Sequence, residues 1–117
     1  MKYVTIFGGS GFLGRYIVRN LAASGFIVKV AVRNPNQALF LKMYGYVGQV
    51  ELVAADVSDQ NSIEKSIEGS DCVINCVAIF FETSNQSFKK IHVESAKNIA
   101  KIAYKMRVKS LIHISSL

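Results

Sequence analysis

The sequence has two cysteines, two histidines, one proline and no apolar run of bilayer length, and each shortage excludes something. Cys72 and Cys76 fall inside one apolar run, where strand geometry sets them about 13 Å apart along one face, beyond the reach of a disulfide. They are expected to be buried thiols of a reducing compartment. His92 and His113 show no ligand spacing with them, so no metal site is expected. The longest apolar stretch, CVINCVAIFF, is too short to span a membrane and contains Asn75. The opening MKYVTIFGGSGFLG has the lysine and apolar stretch of a signal peptide, but four glycines and then Arg15 interrupt it before any small-residue cleavage site. A cytoplasmic chain without a transmembrane segment is expected. There is also no internal repeat, linker or low-complexity tract.

What is present is enough for one globular domain over residues 1–117, with half of the residues apolar. The net charge of +6 is unevenly placed. Residues 1–83 hold seven basic and seven acidic side chains, whereas 84–117 hold seven basic and one acidic. No aromatic interleaving or motif for nucleic acid accompanies these lysines, so no nucleic-acid partner is expected, and a solvated helix face is the simplest reading of them, with an anionic partner or membrane surface as the alternative.

Hydrophobic periodicity orders the chain as alternating strands and helices. YVTIFG at 3–8 reads as a strand that turns into glycines, followed by a helix with Leu13, Ile17 and Leu21 spaced four apart. Gly25 is placed to end that helix, and FIVKVAVR resumes as a strand to Arg33. Asn34 and Pro35 open a helix to about Tyr44. QVELVAAD at 49–56 is a third strand and SDQNSIEKSIEGSD a short polar helix with Gly69 beyond its end. CVINCVAI is a fourth strand, apolar on both faces as in a sheet covered on each side. A long helix from about Ser87 to Arg107 puts Phe88, Ile91, Ser95, Ile99, Ile102 and Met106 on one face and Lys90, Lys97, Lys101 and Lys105 on the other. SLIHIS closes the chain as a fifth strand. Right-handed crossovers then give an α/β fold with a doubly wound parallel sheet of Rossmann type.

The glycines read as Gly9-x-Gly11-x-x-Gly14 or as Gly8-x-x-Gly11-x-x-Gly14. Either register permits a tight turn, close approach of backbone N–H groups to a pyrophosphate, and packing of the helix on the strand. The helix amino terminus adds free N–H groups and partial positive charge. The pattern follows a strand and opens a helix, the context that gives it meaning. An acidic residue about twenty positions past the glycines would bond a ribose 2′-hydroxyl, but the second strand ends in Arg33. A guanidinium suits a 2′-phosphate, and Arg15, a cation at a helix amino end that its dipole opposes, fits a nearby phosphate. The expected cofactor is NADP(H) in preference to NAD(H). Asp56, followed by Val57, stands where adenine would lie, or serves as a turn or cap carboxylate. Cys76, Val77 and Ala78 end the fourth strand in the crevice, or pack in the core. His92 reads as a core histidine.

At these residues the sequence resembles an extended or atypical short-chain dehydrogenase/reductase of the kind often labelled NAD-dependent epimerase/dehydratase. FGGSGFLGRYIV, VAVRNP, VGQVELVAADVSD, GSDCVINCVAIFFE, SFKKIHVESAKNIA and LIHISS most resemble the NADPH-binding accessory subunits of respiratory complex I and their bacterial relatives. The resemblance covers the amino-terminal half of a usual family member. It implies pyrophosphate contacts from the backbone of Ser10, Gly11, Phe12 and Leu13, 2′-phosphate contacts from Arg15 and Arg33, and adenine contacts from Asp56 and Val57. Cys76 to Ala78 match a segment that often reads Asn-x-Ala-Gly, with Ala78 in place of the glycine. Ser115 and Ser116 match serines at the end of strand five, the latter near the family's catalytic serine.

Catalysis in that family also uses a Tyr-x-x-x-Lys pair, in which the lysine lowers the tyrosine's pKa. None of Tyr3, Tyr16, Tyr44, Tyr46 or Tyr104 has lysine four positions later. No catalytic residue is therefore expected within the chain. The reading is a cofactor-binding domain of a longer protein, with respiratory complex I as partner of the parent. The alternatives are an active reductase or epimerase whose catalytic half lies beyond Leu117, and a redox sensor that binds NADP(H) and a protein. An edge at the fifth strand and apolar surface left uncovered predict self-association.

Overall fold

The computed structural model describes residues 2–77 and 85–114, with side chains from residue 93 onward in the second stretch. Five parallel strands, β1 (Tyr3–Phe7), β2 (Ile27–Val32), β3 (Val50–Ala54), β4 (Cys72–Asn75) and β5 (Ser110–His113), form one sheet in the order β3-β2-β1-β4-β5. The expected Rossmann-type architecture is borne out. The order reverses between β1 and β4, and the carboxyl ends of those neighbours flank the crevice where ligands bind in open sheets of this kind.

Helix α1 (Phe12–Ala23) and a 3₁₀ segment (Pro35–Tyr44) cover one face, and α2 (Gln60–Ile67) and α3 (Asn85–Lys105) the other. Alternation along the strands divides the core accordingly. Val4, Ile6, Val28, Val30 and Ile74 pack toward α1, whereas Phe7, Ala31 and Val73 pack toward Ile63, Ile67, Ile99 and Ile102. Burying β1 and β4 on both sides explains why they read as nearly unbroken apolar runs.

The buried stripe of α1 is Gly14, Val18 and Ala22, one residue on from the spacing expected of it. Leu13 is exposed and Ile17 and Leu21 lie on a flank, because small residues at the centre let the helix axis sit close to β1. Its end is a Schellman motif: the Phe26 N–H donates to Leu21 O and the Gly25 N–H to Ala22 O, with Gly25 at φ 89°. Phe26 and Leu21 join the same apolar cluster.

The stretch from Pro35 winds as a 3₁₀ helix, not a regular α-helix, with Pro35 in its first turn and the Asn34 side chain accepting from the Asn36 N–H. Its threefold repeat turns Ala38 and Leu41 into the core. β4 is also shorter than expected and ends at Asn75, where the side chain intervenes. Cys72 and Cys76 are half-buried, not fully buried. The expected positions at Ala78, Ser115 and Ser116, and the side chains of Phe88, Lys90, Ile91 and His92, lie outside the described residues.

Candidate functional site

The glycine turn is shaped from two sides. Leaving β1, the chain turns at Gly8 with φ 79°, and a Cβ there would stand 2.7 Å from the carbonyl carbon and oxygen of Cys76 and 2.8 Å from the amide nitrogen of Val77. A Cβ on Gly14 would lie 2.7 Å from the Cα of Gly9, and one on Gly9 2.7 Å from a methyl of Val30. These three positions are glycine for reasons internal to the fold. Gly11 differs. Its backbone is extended, at φ −73° and ψ 175°, and the nearest atom to a Cβ would be Gly8 O at 3.6 Å, an ordinary contact.

Gly11 is also the N-cap of α1, where it brings no side-chain acceptor, and the helix's first turn has no acidic residue. The first helical bond runs from the Arg15 N–H to Gly11 O at 3.0 Å, which leaves the N–H groups of Phe12, Leu13 and Gly14 without a side-chain cap. Partial positive charge gathers there and suits an anion. The exposed side chains of Phe12 and Leu13 project outward, so these residues offer the site their backbone.

Beside this helix end lies a cleft of about 240 Å³ lined by Gly8, Ser10, Ala31, Val32, Arg33, Ala55, Val57 and Val77. A recess of about 230 Å³ continues past Arg33 and Val57 to Asp56, Ser58, Glu94, Ser95 and Asn98. Five candidates, Gly8, Ser10, Arg33, Val57 and Val77, thus share one cleft, and Asp56 shares the next with Arg33. Cys76 borders Gly8 through its backbone while its side chain packs toward the α1 layer. Burial pushes the Cys76 thiol up to about 11, so it is no nucleophile at neutral pH.

Arg33 follows β2 directly and is exposed. Arg15 donates through Nη2 to Ser10 O at 3.3 Å, and its Cζ lies 4.9 Å from the centre of the Phe40 ring. Phe40 belongs to the 3₁₀ segment that begins just after Arg33, so the two cations approach the glycine turn from adjoining elements. Asp56 lies beyond the end of β3. Its carboxylate accepts from the Ser58 N–H at 2.9 Å and Oγ at 2.6 Å. Those bonds hold its pKa below the ordinary carboxylate value, with Arg33 adding to the effect. The N-cap of α2 is Asp59, which accepts from the Asn61 N–H.

Three contributors were not singled out from sequence. Buried Asn75 accepts from the Val77 N–H at 3.0 Å and faces His113 Nδ1 across β4 and β5 at 3.1 Å, which fixes the bend that brings Val77 to the cleft. The signal was one asparagine in an apolar run. Phe40 steadies Arg15, and Asn98 reaches Val57 O at 3.5 Å, but these contacts join residues far apart in the chain.

The family profile that matches residues 1–117 is that of the NmrA-like family. The chain belongs to the NmrA-like family. This NmrA-like chain is 39% identical over 112 residues to the mitochondrial NADH-ubiquinone oxidoreductase 40 kDa subunit of Neurospora crassa, a match covering 96% of this chain and 30% of that protein. It is 40% identical over 114 residues to the mitochondrial NADH dehydrogenase [ubiquinone] 1 alpha subcomplex subunit 9 of Dictyostelium discoideum, covering 97% and 32%. The chain spans about a third of the length of these curated relatives. Among solved structures, uronate dehydrogenase from Agrobacterium tumefaciens, a Y136A mutant complexed with NAD, superposes with a TM-score of 0.78 at 22% identity, covering 99% of this chain and 41% of that one. The NmrA-like chain thus has a Rossmann-type fold, shared with that uronate dehydrogenase, and is related to the two mitochondrial NADH dehydrogenase subunits. No helix among the described residues is long and apolar enough to cross a membrane.

Proposed function

We propose that this NmrA-like domain binds a nicotinamide dinucleotide, NADP(H) in preference to NAD(H), across the carboxyl ends of β1 and β4. The observation that carries the reading is Gly11, a glycine the protein's own packing does not require, at the uncapped amino end of α1. A pyrophosphate drawn against that helix end gives the missing side chain a purpose. Gly8, Ser10 and Val77 would border it, Val57 and the recess beside Asp56 would take the adenine, and Arg33 and Arg15 would meet the 2′-phosphate. A carboxylate at the end of β2 would repel that phosphate, and Arg33 stands there instead.

The nicotinamide supplies hydride chemistry when bound. The chain's own residues bind and orient the nucleotide, and the described cleft holds no acid/base pair matching the Tyr-x-x-x-Lys of the dehydrogenases. The domain is read as a nucleotide-holding part, in keeping with its match to about a third of each relative's length. In this reading the parent resides in the cytoplasm and joins a respiratory NADH dehydrogenase, the assembly for which the two mitochondrial relatives are named.

Calorimetric titration with NADPH and NADH tests the proposal. NADPH should bind about 10- to 100-fold more tightly, the range expected of charge-assisted hydrogen bonds to one phosphate, and Arg33→Ala should erase the difference. Equal affinity for both nucleotides would refute the preference. Failure of both to bind would refute the site.

A further inference from the structure

Neither α1 nor the 3₁₀ segment contains an acidic residue. The first acidic residue in the chain is Glu51, and every charged side chain before it is a lysine or arginine. The fold turns that run into a surface. α1 and the 3₁₀ segment lie side by side on one side of the sheet, through Val18, Ala22, Ala38 and Leu41 in a common core. Most of the described carboxylates that follow lie on other elements. Glu51 alternates with Val50 and Leu52 and so points to the other side, as do α2 with Glu64 and α3 with Glu94. Asp56 lies past the carboxyl end of β3, and Asp71 stands at the amino end of β4, bonded to the Tyr3 N–H, at the opposite end of the sheet from the amino end of α1.

The same face is studded with apolar side chains. Phe12 and Tyr16 meet edge to face at 5.4 Å on α1, and Leu39 and Met43 stand out from the 3₁₀ segment. Beyond it Tyr46 and Val47 project fully from the turn between Gly45 and Gly48, Tyr46 being 88% exposed. That turn is braced: the Tyr46 N–H donates to Gln49 Oε1, and Gln49 Nε2 donates to Phe26 O at the end of α1. Arg15, Arg19 and Lys42 are interspersed among these groups and are likewise exposed.

We infer that this face docks the domain onto an anionic lipid surface. Apolar and aromatic side chains that project from a braced turn need no shaped pockets in a bilayer interface, which receives them anywhere, while interspersed cations gain from acidic headgroups. The absence of carboxylates removes the repulsion that would oppose contact. The inference does not depend on nucleotide binding.

Cosedimentation with vesicles of phosphatidylcholine, with and without phosphatidylglycerol, tests it. The chain should pellet with the anionic vesicles only, and added salt should release it. Arg19→Glu with Lys42→Glu should weaken binding at least about tenfold, and Met43→Ser with Tyr46→Ser should also weaken it, with thermal unfolding confirming that each variant folds. Because the chain lacks tryptophan, Tyr46→Trp places one reporter on the turn, and its emission should shift to the blue on anionic vesicles. No pelleting, pelleting with pure phosphatidylcholine, an unshifted emission or indifference to the charge reversal would each overturn the inference. A dimer dispersed by the same substitutions would overturn it in favour of a second copy, and vesicle binding lost to neither set of variants would leave this face to a protein partner.

Discussion

Gly8 and Cys76 meet backbone to backbone across the end of the β1 and β4 pair, so close that a Cβ on residue 8 would stand 2.7 Å from the Cys76 carbonyl. The ladder runs on past the strands, since the Cys76 N–H donates to Phe7 O at 2.8 Å. Two chains leaving adjacent parallel strands are thereby held with no side chain between them. The floor of the cleft is this pair of backbones, and its rigidity comes from β1 and β4 being buried on both faces.

The glycines divide into those the fold needs and one it does not. Gly14→Ala should destabilise the protein by about 1–3 kcal/mol, because the new methyl collides with the Gly9 backbone. Gly11→Ala should cost no more than about 1 kcal/mol, the N-cap preference for glycine over alanine, while reducing NADPH affinity at least about tenfold. Chemical denaturation and calorimetry on the two variants separate these effects, and equal loss of stability in both would show Gly11 to be structural.

Removing the guanidinium of Arg15 has two opposing effects on the free protein. The contact with Phe40 is lost, at about 0.5–1 kcal/mol, and a cation that opposed the helix dipole is lost, with a gain of about 0.3–1 kcal/mol. Arg15→Ala should therefore leave the urea midpoint close to that of the parent and still weaken NADPH binding.

Asn75 is buried with both ends of its amide engaged. Asn75→Ala leaves the Val77 N–H without its acceptor and should cost about 1–3 kcal/mol. A mid-strand truncation that only opened a cavity would leave nucleotide affinity intact. Loss of NADPH affinity beyond that seen in an equally destabilised core variant would show that Asn75 positions the cleft.

Cys76 contributes to the alkaline limb of stability, together with Cys72, whose thiol is also raised by burial and the neighbouring Asp71. Burial raises the Cys76 thiol from 9.0 to about 11. The folded protein therefore keeps this proton where the unfolded chain has lost it, so stability is full below pH 9 and falls as pH rises toward about 11. Cys76→Ser should flatten that limb in urea titrations. Iodoacetamide should modify Cys76 slowly at neutral pH and more slowly still with NADPH bound.

The order of elements was legible because each rests on local rules. A β-branched and aromatic run turning into glycines marked β1, a two-faced apolar run marked β4, Gly25 marked the end of α1, and Asn34 with Pro35 marked the start of a helical stretch. The misjudged details have tertiary causes. Leu13, Ile17 and Leu21 are the conspicuous apolar series in α1, yet the sheet selects Gly14, Val18 and Ala22, since close approach rewards small residues. The fourth strand stops at Asn75 because its side chain captures the Val77 N–H, a bond no periodicity reports.

By itself the sequence determined the alternation of strand and helix, hence the doubly wound parallel sheet, because periodicity, turn residues and crossover handedness act over short stretches. It also determined which chemistry stands at the end of β2, since Arg33 is a fact of composition. Only the tertiary structure decided which glycines are obligatory, because that depends on atoms of Cys76, Val30 and Gly9 brought within 3 Å of where a Cβ would be. Only the tertiary structure gathered Arg15 onto Phe40 and Arg33 beside Asp56, and set α1 and the 3₁₀ segment, neither with an acidic residue, side by side. Those relations join residues distant in the chain, and packing, not local preference, selects them.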